Sequence, residues 1–158
     1  MQIYMCDLFN LQGERKMDIL NITVGGFRNI KKIKFSFENV TAMVGLNGYG
    51  KSNVMDAIDF GFDYIHFASS MREGMMSAKH CIPILRSNAG ENYVFDIEIR
   101  LDSNGKEYFA NYGYSFSWNT DKNPSKIVEE HLYIRRNEKG QKYNAIILRD
   151  DKNAKCKV

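Results

Sequence analysis

A chain of 158 residues, 44% apolar and 26% charged, can build one soluble domain with a real core and has little room for a second. Its net charge of +3 is too small to argue for nucleic acid by itself, and its short basic clusters (Lys31, Lys32, Lys34; Arg135, Arg136, Lys139, Lys142; Lys152, Lys155, Lys157) read as solvated strand faces and a tail. Cys6, Cys81 and Cys156 are odd in number and far apart, and His66, His80 and His131 are scattered, which argues against a disulfide framework or a metal cluster and fits a reducing, cytoplasmic setting.

In chain order, residues 1–16 have no basic n-region, sustained apolar stretch or small-residue cleavage site, so they are not expected to be a signal peptide. Met17 opens a cleaner strand pattern than Met1, and residues 1–16 are expected to be an N-terminal extension. Residues 19–24 alternate as a strand through Leu20, Ile22 and Val24, and Gly25-Gly26 should punctuate it. Residues 30–37 alternate again, with Ile33, Phe35 and Phe37 on one face and Lys32, Lys34 and Ser36 on the other, the pattern of a half-buried antiparallel strand. Residues 40–44 are short and apolar, as a strand buried on both faces would be.

Gly45-Leu46-Asn47-Gly48-Tyr49-Gly50-Lys51-Ser52 comes next. In a G-x-x-x-x-G-K-[ST] loop the glycines let successive N–H groups turn inward as an anion cradle, and the helix that follows adds the partial positive charge of its N-terminus. Lys51 can then reach the outer phosphates of a nucleoside triphosphate, and the Ser52 hydroxyl can ligate Mg²⁺. Chance would produce this pattern in about one chain in two hundred of this length. Val54, Ile58, Phe62 and Ile65, with Met55 beside them, give the following helix an apolar stripe, while Asp56, Asp59 and Asp63 lie off it. Residues 68–91 have no firm period and should hold a loop or short helix.

From Tyr93 onward the pattern becomes that of a meander of antiparallel strands. Residues 93–101 alternate through Phe95, Ile97 and Ile99, and residues 102–105 (Asp-Ser-Asn-Gly) form a turn. Residues 108–118 and 126–136 are further strands, 137–140 a second turn, and 143–148 the returning strand.

With Gly26-Phe27-Arg28-Asn29-Ile30 upstream of the loop and Ser52-Asn53-Val54-Met55-Asp56-Ala57-Ile58 downstream, the sequence resembles the ABC/SMC-like group of AAA-type P-loop ATPases, a set that includes RecF-like and OLD-like proteins and many prokaryotic defence ATPases. Later segments (94–99, 112–114, 127–133, 147–149) follow the order usual for that group, so the resemblance covers nearly all of residues 17–150. It implies a partial α/β fold of the ABC/SMC type, made of the P-loop strand and helix plus an antiparallel β meander. Residues 17–150 would be the N-terminal lobe, and 151–158 a tail or truncation point. Gly45, Asn47, Gly48, Gly50, Lys51, Ser52 and Asn53 would bind ATP, with Mg²⁺ on Ser52. Phe27 and Arg28 would lie near the nucleotide, Arg28 as a cationic contact; for Phe27 a place in the core is an equal expectation, and for Arg28 a surface position is the stronger one.

The departures from that group bear on catalysis. Hydrolysis there uses a Walker B strand ending in an acidic pair, a signature motif from a partner and a glutamine sensor. Residues 145–151, ending in Asp150-Asp151, look like a Walker B strand at first glance, but Arg149 breaks the apolar run, and Gln141 sits in a charged hairpin. The expected function is therefore ATP binding by a lobe whose hydrolysis needs a C-terminal ATPase half. A second copy of the chain (a homodimer) or that half would be the partner, with DNA a further candidate and no membrane. The alternatives are a non-hydrolysing ATP-binding module or an inactive truncated fragment. A small-molecule kinase is disfavoured because its motifs would ride on short parallel βα units.

Overall fold

The computed structural model describes residues 16–156 apart from Asn39, Leu46, Asn47, Tyr49, Arg86, Asn88, Lys122 and Asp151. Its elements are β1 (Lys16–Phe27), β2 (Ile30–Ser36), α1 (Lys51–His66), α2 (Ser69–Met76), β3 (Tyr93–Ser103), β4 (Lys106–Ser117), β5 (Lys126–Arg136), β6 (Asn144–Asp150) and β7 (Ala154–Cys156). The strands form one sheet in the order β2-β1-β3-β4-β5-β6-β7, and every pair is antiparallel. This is the mostly antiparallel α/β architecture expected from the alternation after Tyr93. Among the described residues there is no parallel βα repeat of the kind a small kinase would need.

Period-two alternation explains which face is covered. Tyr93, Phe95 and Ile97 of β3 pair in register with Phe116, Tyr114 and Tyr112 of β4, and Phe95 and Ile97 with Val24 and Ile22 of β1. All of these side chains belong to one core cluster with Val54, Ala57, Ile58 and Tyr64 of α1, Tyr112 at its partly buried margin. The centre is aromatic: Phe27, Phe60, Tyr93, Phe116 and Trp118 pack with ring centroids 5.0–6.5 Å apart in tilted, edge-on and stacked pairs. Buried aromatic tips still need partners, and here they find the helix and the strand backbone. Tyr93 Oη donates to the Ala57 carbonyl at 2.7 Å and Tyr114 Oη to the Gly61 carbonyl at 2.8 Å, while Trp118 Nε1 donates to Gly26 at 2.9 Å. Two tyrosines on neighbouring strands thus hold carbonyls one turn apart on α1, each bond adding about 1 kcal/mol net and fixing the helix axis on the sheet.

Four sequence expectations need correction. Residues 40–44 form no strand, and Val40 and Val44 are 86% and 92% exposed. A strand buried on both faces needs neighbours on both edges, and among the described residues none flanks this segment. Gly25-Gly26 does not end β1, which runs on to Phe27. Gly26 instead takes φ +61 where a Cβ would lie 1.8 Å from the Asn92 carbonyl oxygen, so glycine lets β1 pass close to the entry of β3. Met55, expected beside the apolar stripe, is exposed, because the buried face of α1 is centred on Val54, Ala57, Ile58, Gly61 and Tyr64. Finally, β7 adds a strand inside the segment expected as a tail.

Candidate functional site

The loop ahead of α1 is built as its glycines require. Gly48 and Gly50 take φ +83 and +91, conformations that side-chain-bearing residues rarely adopt. Gly50 is the N-cap of α1, with no side-chain cap and no acidic residue in the first turn, so the helix presents backbone N–H groups and its positive dipole end towards the loop. Lys51 Nζ donates to the Gly45 carbonyl at 2.5 Å, tying the start of α1 back to the first residue of the loop. Ser52 is exposed on the first turn. Asn47 lies outside the described residues, as do Leu46 and Tyr49.

The remaining expected residues meet on one side of this helix end. The β1–β2 turn places Arg28 at φ +47, with its backbone N–H donating to the Cys81 carbonyl at 2.9 Å. Its side chain donates from Nε to the His80 carbonyl at 3.2 Å and from Nη1 to Asn53 Oδ1 at 2.9 Å, and it is ion-paired with Asp56. Asn53 Nδ2 in turn donates to Asn29 Oδ1 at 2.8 Å. A Cβ on Gly50 would sit 2.7 Å from Asn29 Nδ2, so the turn seats directly against the cap. Asn53 and Arg28, expected at the nucleotide, therefore have their side chains on a polar clamp between the β1–β2 turn, the 80–81 loop and α1. Phe27 is 1% exposed in the aromatic core, so its place is there and not beside a ligand.

Asn29 and Asp56 were not anticipated as part of this constellation. Asp56 was legible only as a polar residue off the apolar stripe, one turn after the loop, and nothing local announced its pairing with Arg28, 28 residues away. Further along the same side of α1, burial first and then the nearby Asp63 and Asp56 charges hold the Asp59 carboxyl above its ordinary range.

Asp150, the only described member of the acidic pair, lies far along the sheet order from β1. Its Oδ1 accepts from the backbone N–H groups of Lys152 and Asn153 at 2.8 and 2.7 Å, and its own N–H donates to the Asn153 carbonyl. The side chain closes the β6–β7 turn, as Asx residues commonly do. Those two backbone donors hold its carboxyl below the usual carboxylate range.

Left-handed glycines ahead of a helix end without a side-chain cap, on a helix packed against a sheet, leave backbone N–H groups to which an anion could bind. The family model of the AAA domain matches residues 21–156, and the chain belongs to that family. Membership carries nucleotide binding in general. No curated protein matches the chain. Among the described residues, no helix is long and apolar enough to cross a membrane.

Proposed function

We propose that Gly45–Ser52 is a Walker A loop that binds ATP with Mg²⁺, within the N-terminal lobe of an ABC/SMC-like, RecF- or OLD-related ATPase. The observation that carries this is the meeting of Gly50, in a left-handed conformation at an uncapped helix end, with Lys51 folded back onto Gly45. An anion at that helix end would meet backbone N–H groups that helix geometry leaves open, and the lysine could turn from the Gly45 carbonyl to phosphate oxygens. Ser52, exposed on the first turn, suits a hydroxyl ligand to Mg²⁺. Asn47 and the backbone around Gly48 would complete the cradle.

Calorimetric titration with Mg·ATP tests this. Charge-assisted phosphate contacts contribute about 1.5–3 kcal/mol, so Lys51→Ala should weaken affinity about ten- to a hundredfold. Equal affinity in a folded variant would overturn the assignment.

Hydrolysis is proposed to need a Walker B acidic pair and a signature motif from a C-terminal half, supplied by a further segment or by another chain in a dimer. DNA would be the partner on which such work acts. The turn role of Asp150 supports this over a self-sufficient ATPase, and it equally favours the second reading, a module that holds ATP without turning it over. The encoding DNA separates the two: the first expects an acidic-pair strand and a signature motif to follow in frame or in an adjacent frame.

A further inference from the structure

A polar concavity lies away from the glycine loop. It is a cleft of about 720 Å³ bounded by α2, the β4–β5 connection and β6, with Tyr64 of α1 also in its lining. That is ample for a small ligand. Three elements each bring a cation to it: Arg72 from α2, Lys126 from the start of β5 and Arg149 from β6. Ser69, Ser70 and Ser125 add hydroxyls, and Asn119 an amide. Glu73 is the one acidic residue among the described residues of the lining; Glu130, near the cleft, accepts from Tyr112 Oη at 2.9 Å and faces Arg149 at 3.7 Å.

Arg72 is the best placed of these cations. Its Nη2 donates to the Ile65 carbonyl at 2.8 Å, and its guanidinium lies over the Tyr64 ring at 5.3 Å. Among the described residues no carboxylate pairs with it. The group is therefore held in position by a carbonyl and a ring, with no described carboxylate on it, so little side-chain entropy remains to be lost when an anion arrives. An anion in this one concavity would be drawn to cations brought by three separate elements.

We infer that this cleft binds a small phosphate-bearing anion, independently of the glycine loop. Phosphate suits it better than a polyanion such as nucleic acid, because the cations surround one concavity instead of tracking along a strand or helix.

Amide NMR of the full chain titrated with inorganic phosphate tests the inference. Resonances of Ser69, Ser70 and Ser125 should shift saturably in the parent and equally in Lys51→Ala, which separates this cleft from the glycine loop. In Arg72→Gln/Arg149→Gln the apparent affinity at those resonances should fall about tenfold or more, with shifts at Gly48 and Gly50 retained. If the double variant does not fold, Arg149→Gln at its exposed strand position should still weaken binding severalfold. Cleft resonances that do not move in the parent, or that saturate identically in the arginine variants, overturn the proposal.

Discussion

His131 of β5 reaches Asp96 of β3 across an intervening strand, with Nε2 and Oδ2 3.2 Å apart, because the residue between them on β4 is Gly113. A Cβ there would lie 2.6 Å from His131 Cε1 and 2.7 Å from Asp96 Oδ2. Asn111 Oδ1 stands 2.9 Å from the same ring nitrogen and Glu129 Oε1 3.5 Å from the other. The cluster occupies the sheet face opposite the helices, where Thr23, Lys32, Lys34 and Ser115 line the same groove.

This contact makes stability depend on pH. The hydrogen bond to Asp96 raises the His131 pKa, burial opposes it, and the Asp96 and Glu129 charges add to the rise. A raised folded-state value means the contribution is complete below the unfolded histidine range and is lost as pH climbs through the folded value. For Asp96, burial pushes upward but is outweighed by the bonds from His131 and Asn111 and by the His131 and Lys34 charges, so its pKa is lowered. That contribution is present above the unfolded carboxylate range and is lost as pH falls through the folded value. Urea unfolding should show His131→Ala costing on the order of 1 kcal/mol at pH 5.5 and clearly less at pH 8.5. An equal cost at both values would remove the ion pair from the account.

Gly61→Ala should destabilise the fold strongly. The added Cβ would fall 2.0 Å from Phe95 Cδ2, so α1 or the ring must move in a core already filled by aromatic side chains. Overpacking of this kind costs about 1–3 kcal/mol or more, and the Tyr114 bond to the Gly61 carbonyl would be strained with it. A thermal melt within a degree of the parent's would contradict the packing described.

Ser52→Ala should reduce the gain in ATP affinity that Mg²⁺ provides while leaving metal-free binding nearly unchanged. Titrations with and without Mg²⁺ measure both quantities. An undiminished Mg²⁺ response would take Ser52 out of the metal's coordination.

The 158-residue chain should release phosphate from ATP no faster than a background control, because a cradle without a positioned nucleophile supplies little of the chemistry. Asp150→Asn should leave ATP affinity unchanged and affect only the β6–β7 turn. Turnover abolished by both Lys51→Ala and Asp150→Asn would instead make Asp150 a Walker B residue.

What the sequence alone determined is what short-range geometry encodes. The alternation through Tyr93, Phe95 and Ile97 set β3 and its buried face, Asn104-Gly105 set the turn after it, and residues 126–136 marked β5 to the residue. The glycine spacing before Lys51 likewise located a left-handed cap and an uncapped helix end, because both depend on a few adjacent φ angles. What only the tertiary structure decided is which residues distant in sequence meet. An apolar composition at 40–44 states a preference for burial, yet with no flanking strand among the described residues the segment stays exposed. In the sequence Arg28 is a cation expected beside the nucleotide or on the surface, and only the fold brings Asn53, Asp56 and the His80 carbonyl around it. His131 and Asp96, 35 residues apart, become partners only because strand register sets a glycine between them. Periodicity fixes the direction of a side chain, while register and packing choose what it touches.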